Sequence, residues 1–168
     1  MIRLLLILFL MSCFSALTSR AEVVWFNGKQ PITYSLPKEV EPVVTTALEM
    51  WKDDMRQVTG MDAVASRKAT IKISHNSRLP FDGFCIHTKG GQIIVEGGNG
   101  RGMAYGILEL SRLAGVSPWT WWGDVVPERK GRLVLSEDFR TVQQPSIAYR
   151  GIFINDEDWS LRPWSSKT

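Results

Sequence analysis

Residues 83–115, GFCIHTKGGQIIVEGGNGRGMAYGILELSRLAG, carry two hydrophobic periods in direct succession. Residues 84–88 and 92–96 flank Lys89-Gly90-Gly91 and read as a β-hairpin, because glycines supply the positive φ angles that tight hairpin turns require. The period then changes. Met103, Ile107, Leu110 and Ala114 recur at helical spacing, Leu108 and Leu113 lie alongside, and Gly115 ends the pattern. A hairpin feeding an amphipathic helix must bury one face of each, which calls for a helix laid on a sheet.

The rest of the chain supplies matching pieces. Residues 22–28 read as a strand closed by an Asn-Gly turn, and residues 30–37 as a second extended piece. Residues 38–59 are helical: Val40, Val44, Ala47, Leu48, Trp51, Met55 and Val58 recur every three or four positions. Pro42 suits the helix start and Gly60 its end. Residues 69–75 alternate as a strand, residues 116–131 form a loop with three tryptophans, and residues 132–138 form a short strand. Residues 142–150 read as a connector, and Ile152, Phe153 and Ile154 begin another strand. The expected fold class is α+β: a small mixed-sheet domain over residues 22–140 with two helices on one face, then a connector and the first strand of something else over residues 141–168.

Residues 1–21 are set apart from the fold. Arg3 precedes an apolar run from Leu4 to Met11, and Ser19-Arg20-Ala21 has the small-x-small pattern of a signal peptidase site. The run is far shorter than the roughly 20 residues of a membrane-crossing helix, so we expect a cleaved export signal and a periplasmic or extracellular protein. Leu10-Met11-Ser12-Cys13 loosely resembles a lipoprotein box, which would instead anchor the protein by a lipid on Cys13. Arg3 and Arg20 leave with the signal, so the net charge of +3 falls to +1 and gives no case for a nucleic-acid partner. Cys85 is then the only cysteine, which excludes an internal disulfide and reads as a small buried hydrophobe.

Several chemistries fail on spacing. The strand, glycine run and helix of VEGGNGRGMAYG suggest a dinucleotide fold, but the third small position falls on Met103 or Tyr105. Gly102 is followed by Met103-Ala104, which excludes a P-loop. The glycines are then expected to let the chain turn tightly and the helix pack closely on the sheet. His75 and His87 lie on separate strands with no cysteine or carboxylate at ligand spacing, so no metal site is expected. No Gly-x-Ser-x-Gly elbow is present. Trp119, Trp121 and Trp122 suit either stacking on sugar rings or, the preferred reading, a wedge between two domains. Asn155, Asp156, Glu157 and Asp158 end an apolar strand. On extended backbone Asn155 and Glu157 point one way, Asp156 and Asp158 the other. Taken alone they read as a solvated turn, although glycoside cleavage commonly uses two carboxylates placed at the ends of barrel strands.

GILELSRLAGVSPWTWWGDVVP and YRGIFINDEDWSLRPW together resemble glycoside hydrolase family 115, the xylan α-1,2-glucuronidases. The resemblance covers residues 22–168. It implies a small α+β domain joined to a (β/α)₈ catalytic barrel. It also implies hydrolytic release, with inversion and without a cofactor, of glucuronic acid or its 4-O-methyl form from glucuronoxylan or derived oligosaccharides. A dimer is an option for the full-length enzyme. Asn155 and Asp156 would line the sugar pocket, Glu157 would be a further contact, and Arg150 would support them from inside the barrel. A barrel takes about 250 residues, and one strand of it is expected here. The catalytic acid and base are therefore expected from later strands, and this chain alone is expected to be inactive. The alternative is a non-catalytic carbohydrate-binding or structural module using the Trp-rich loop.

Overall fold

The computed structural model describes residues 21–151 and 153, apart from the side chains of Trp121 and Trp122. In chain order they form β1 (Glu22–Phe26), β2 (Thr33–Ser35), α1 (Pro42–Thr59), β3 (Val64–Ala65), β4 (Ile71–His75), β5 (Phe84–Lys89), β6 (Gln92–Gly97), α2 (Gly100–Ala114), α3 (Trp119–Gly123), β7 (Leu133–Ser136) and β8 (Arg140–Gln143). No helix among the described residues is long and apolar enough to cross a membrane.

A six-stranded mixed sheet runs in the order β3-β2-β4-β6-β5-β8. Its first four strands are parallel, and β5 and β8 join antiparallel. Gly90 and Gly91 adopt φ of 56° and 75°, which closes the β5–β6 hairpin in two residues between Lys89 and Gln92. That register puts Ile86 opposite Val95, and both are fully buried. Pro42 opens α1, where its fixed φ is preset and its missing N–H costs nothing. The helix therefore starts there and not at Lys38. Gly60, at φ 80°, closes it and donates its N–H to Arg56 O at 2.9 Å. The buried stripe of α1 (Val44, Ala47, Leu48, Trp51, Met55, Val58) packs on α2, whose Met103, Ile107, Leu110 and Ala114 are buried over the sheet. Each fully buried large apolar side chain in this layer contributes about 1.5–3 kcal/mol before entropy is subtracted.

The glycine run matters for space and not for φ. Among its members none has a positive φ. A Cβ on Gly97 would lie 2.1 Å from Met103 N, and one on Gly102 would lie 2.4 Å from Gly83 O. The backbone of α2 thus rests directly on the hairpin. Gly97→Ala should force the helix off the sheet at a cost of about 1–3 kcal/mol. Gly131→Ala, with nothing within 4 Å of the new methyl, should leave the urea midpoint almost unchanged.

Four features differ from the sequence reading. β1 does not join the large sheet; it pairs antiparallel with β7 as a separate two-stranded sheet. Residues 119–123 of the Trp-rich loop form one helical turn, closed by Asp124 at φ 52°. The connector is partly a strand: β8 pairs Val142 with Cys85 across the sheet edge. β3, only two residues long, reflects pairing to β2 and no local pattern. The expected barrel strand rests on Ile152 and Ile154, which lie outside the described residues.

Candidate functional site

The connector leaves the domain beside a largely apolar groove of about 570 Å³. Met50 and Asp54 of α1 and Tyr105, Leu108 and Glu109 of α2 form one side, and Gln143, Pro145 and Arg150 form the other. The groove exists because β8 ends at Gln143 and the chain then turns back over the helices.

Asp82 fixes the end of this connector. Its side chain is completely buried, and its φ of 60° is a left-handed value that aspartate tolerates better than most residues. Asn99 Nδ2 donates to Oδ1 at 2.9 Å and Arg101 Nε to the same oxygen at 3.0 Å. Arg101 Nη2 lies 2.9 Å and Arg150 Nη2 3.0 Å from Oδ2. Burial alone would raise the Asp82 pKa. The hydrogen bonds from Asn99, Arg101 and Arg150 outweigh it and hold the carboxyl below the usual range. Arg150 also donates to Tyr105 OH at 3.1 Å and to Ile147 O, and its guanidinium lies 5.6 Å from the Tyr105 ring centroid. One buried carboxylate therefore ties the loop before β5, the start of α2 and the last part of the connector together.

The groove's own carboxyls do not form an acid–base pair. Burial raises the Asp54 pKa, with Ser111 pulling the other way. Glu109 accepts from Arg112 Nη2 at 2.6 Å, from Arg112 Nε at 2.8 Å and from Gln143 Nε2 at 3.3 Å. A two-carboxylate hydrolysis needs one proton donor and one free base across the bond. Glu109, with both oxygens occupied, is not a free base.

Of the residues expected to form a site, Arg150 is placed as above, and Asn155, Asp156 and Glu157 lie outside the described residues. The glycine-rich helix start is no phosphate cradle: Asn99 Oδ1 accepts from Gly102 N at 2.8 Å, and Glu41 Oε1 accepts from Gly100 N at 2.7 Å. A carboxylate already occupies the position an anion would take. Trp119 is 64% exposed. Cys85 is buried, as expected of a small hydrophobe, and burial pushes its thiol pKa up. Around His87 the fold gathers neighbours that the sequence spacing does not show. Cys85 Sγ lies 3.8 Å and Glu96 Oε2 3.9 Å from its Nδ1. The sequence signal was Cys-x-His on one strand, which puts both side chains on one face. The glutamate arrives only through the hairpin register.

Comparison with known proteins places the chain. No curated protein matches it. The model of glycosyl hydrolase family 115 matches residues 142–168. Among solved structures, a family GH115 4-O-methyl-alpha-glucuronidase with specificity for decorated arabinogalactans is 38% identical, with a TM-score of 0.78. The match covers 86% of this chain and 21% of that one. An N-acetyl-beta-hexosaminidase from Streptomyces plicatus, 13% identical over 77% of this chain and 24% of its own, has a TM-score of 0.54 and shares the fold alone. The chain spans about a fifth of the length of the glucuronidase it matches. Family match, identity and fold agree: the chain belongs to glycosyl hydrolase family 115.

Proposed function

We propose that the chain is the N-terminal part of an exported glycoside hydrolase that removes glucuronic acid or its 4-O-methyl form from xylan. The observation that carries this reading is the 38% identity, over 86% of the chain, to a 4-O-methyl-alpha-glucuronidase. In this reading residues 22–140 are the domain that precedes the catalytic barrel, and residues 151–154 begin its first strand. Asn155 and Asp156, with Glu157 as a further contact, bind the sugar at the C-terminal end of that strand. Arg150 supports them by tying the start of the strand to Asp82 and Tyr105. The catalytic acid and base come from later strands. Ile147, Tyr149 and Phe153 are 64%, 96% and 90% exposed, and a run of apolar side chains left open to water supports further protein packing there.

The test is the whole protein, incubated with 4-O-methylglucuronoxylan and in parallel with a glucuronic-acid-decorated arabinogalactan, the substrate class of the solved relative. Release of the uronic acid from xylan, first as the β-anomer as inversion at an α-linkage requires, is expected. Asp156→Ala should lower the rate about ten- to a hundredfold, the loss of one charge-assisted hydrogen bond. Residues 1–168 alone should release none. Release only from the arabinogalactan would move the substrate and keep the chemistry, and release from neither would overturn the proposal.

The exposure of Trp119 favours a second reading, a carbohydrate-binding module that stacks sugars on this ring. It requires heat on titrating the chain with glucuronoxylan and loss of that heat in Trp119→Ala.

A further inference from the structure

We propose that Cys85, His87 and Glu96 form a zinc-binding site on the face of the sheet opposite the helices. β5 and β6 are antiparallel, with Cys85 directly opposite Glu96 and Ile86 opposite Val95. Residues facing each other across a ladder share a face, and successive residues alternate. Ile86 and Val95 therefore point into the core under α2, and Cys85, His87 and Glu96 point together to the other side. Their donor atoms all lie within 4.8 Å of one another.

The geometry suits a tetrahedral ion. Zinc binds thiolate at about 2.3 Å and imidazole or carboxylate at about 2.0–2.2 Å, so neighbouring donors must sit about 3.3–3.6 Å apart. The Sγ–Nδ1 and Nδ1–Oε2 separations of 3.8 and 3.9 Å exceed that by a few tenths of an ångström, and all three donors lie within 4.8 Å of one another, so side-chain rotation of Cys85 and Glu96 toward His87 is needed to close the site. The charges balance: thiolate and carboxylate offset the dication, and the neutral imidazole completes a site of zero net charge. Such a site avoids the cost of leaving net charge partly buried. The sulfur, nitrogen and oxygen set is one that zinc accepts, with a fourth position left for water.

The surroundings orient the donors. Asn76 Nδ2 donates to Glu96 Oε1 at 3.1 Å, which leaves Oε2 for His87 and a metal. His87 and Glu96 side chains are 22% and 25% exposed, so an ion can reach them from solvent. Arg140, the cross-strand neighbour of His87, works against a cation, but it is exposed and its charge is screened.

Cobalt(II) titration of the chain tests this, with Cys13→Ser as background so that Cys85 is the single thiol. A near-ultraviolet thiolate-to-cobalt charge-transfer band should grow to one equivalent, vanish on adding zinc and be absent in Cys85→Ser. His87→Ala and Glu96→Gln should each weaken binding at least tenfold. Asn76→Ala, which frees the carboxylate, should weaken it about tenfold. The His87 and Glu96 variants alter partly exposed positions and carry the test even if Cys85→Ser folds poorly. No band, or a band whose affinity ignores both His87→Ala and Glu96→Gln, would overturn the site and leave Cys85 as a packed hydrophobe.

Discussion

Asp82→Ala should destabilise the domain by about 3 kcal/mol in urea unfolding at neutral pH. A hydrogen bond to a charged group contributes about 1.5–3 kcal/mol, and this carboxylate accepts from three side chains. The side chains of Arg101 and Arg150 are 47% and 35% exposed, so water recovers part of what they lose and the contributions do not simply add. Alanine at φ 60° adds about 1–2 kcal/mol of backbone strain. Asp82→Asn keeps the shape and tolerates the left-handed backbone, so it isolates the charge and should fall between wild type and alanine. The pH dependence has a definite sign. The folded pKa of Asp82 is lowered, so the native state holds fewer protons than the unfolded chain in the window between the two values. The stabilisation is complete above about pH 4, the unfolded value, and is lost as pH falls through the folded value. The ion-pair part of the difference between wild type and Asp82→Asn should therefore shrink in acid. A gap that stays constant down to pH 2 would show that the charge contributes nothing. Asp82→Ala should also loosen Arg150 and with it the end of the connector.

Trp51→Ala is expected to be the most damaging single truncation, at about 3–5 kcal/mol. Trp51 is fully buried at the centre of α1 and meets Tyr34 edge to face, with ring centroids 5.7 Å apart and planes at 85°. Removing the indole leaves a cavity between α1 and the sheet that the close α2 contact cannot collapse to fill. Trp51→Phe should cost much less. The indole Nε1 has no hydrogen-bond partner, so losing it removes a buried unsatisfied donor while a ring remains against Tyr34. A differential scanning melt of both variants checks the order. Equal losses would mean that the phenyl ring recovers none of the packing and that the whole indole is required.

Both long helices and the hairpin were legible because their causes are local. Apolar spacing, Pro42, Gly60, Gly90-Gly91 and Gly115 act within a few residues of the structure they set. The missed features depend on residues far apart. β1 has the alternation of a sheet strand, but nothing in it says that its partner is β7. β8 is polar and at the sheet edge, so it has no buried stripe to reveal it. Asp82 looks like a turn residue. Only the fold brings Asn99, Arg101 and Arg150 to it, from as far as 68 positions away. Likewise Cys85 and His87 share a face by simple alternation, whereas Glu96 joins them through a register that the turn fixes. Asn155, Asp156 and Glu157, proposed to contact the sugar, stand out only by resemblance to a family motif. Physics alone read them as a polar turn.

The β1–β7 pair has a consequence for the order of assembly. Glu22 meets Ser136 and Val23 meets Leu135, so the first strand of the domain has its partner more than a hundred residues later. Closing so long a loop is entropically costly before any contact offsets it, and non-local pairings of this kind slow folding. During synthesis β1 emerges first and stays unpaired until β7 follows. The hairpin and the two helices, built from near neighbours, can collapse earlier. The β1–β7 clasp therefore closes late, and the frame is finished only when β8, still further along the chain, adds itself to the edge of the large sheet.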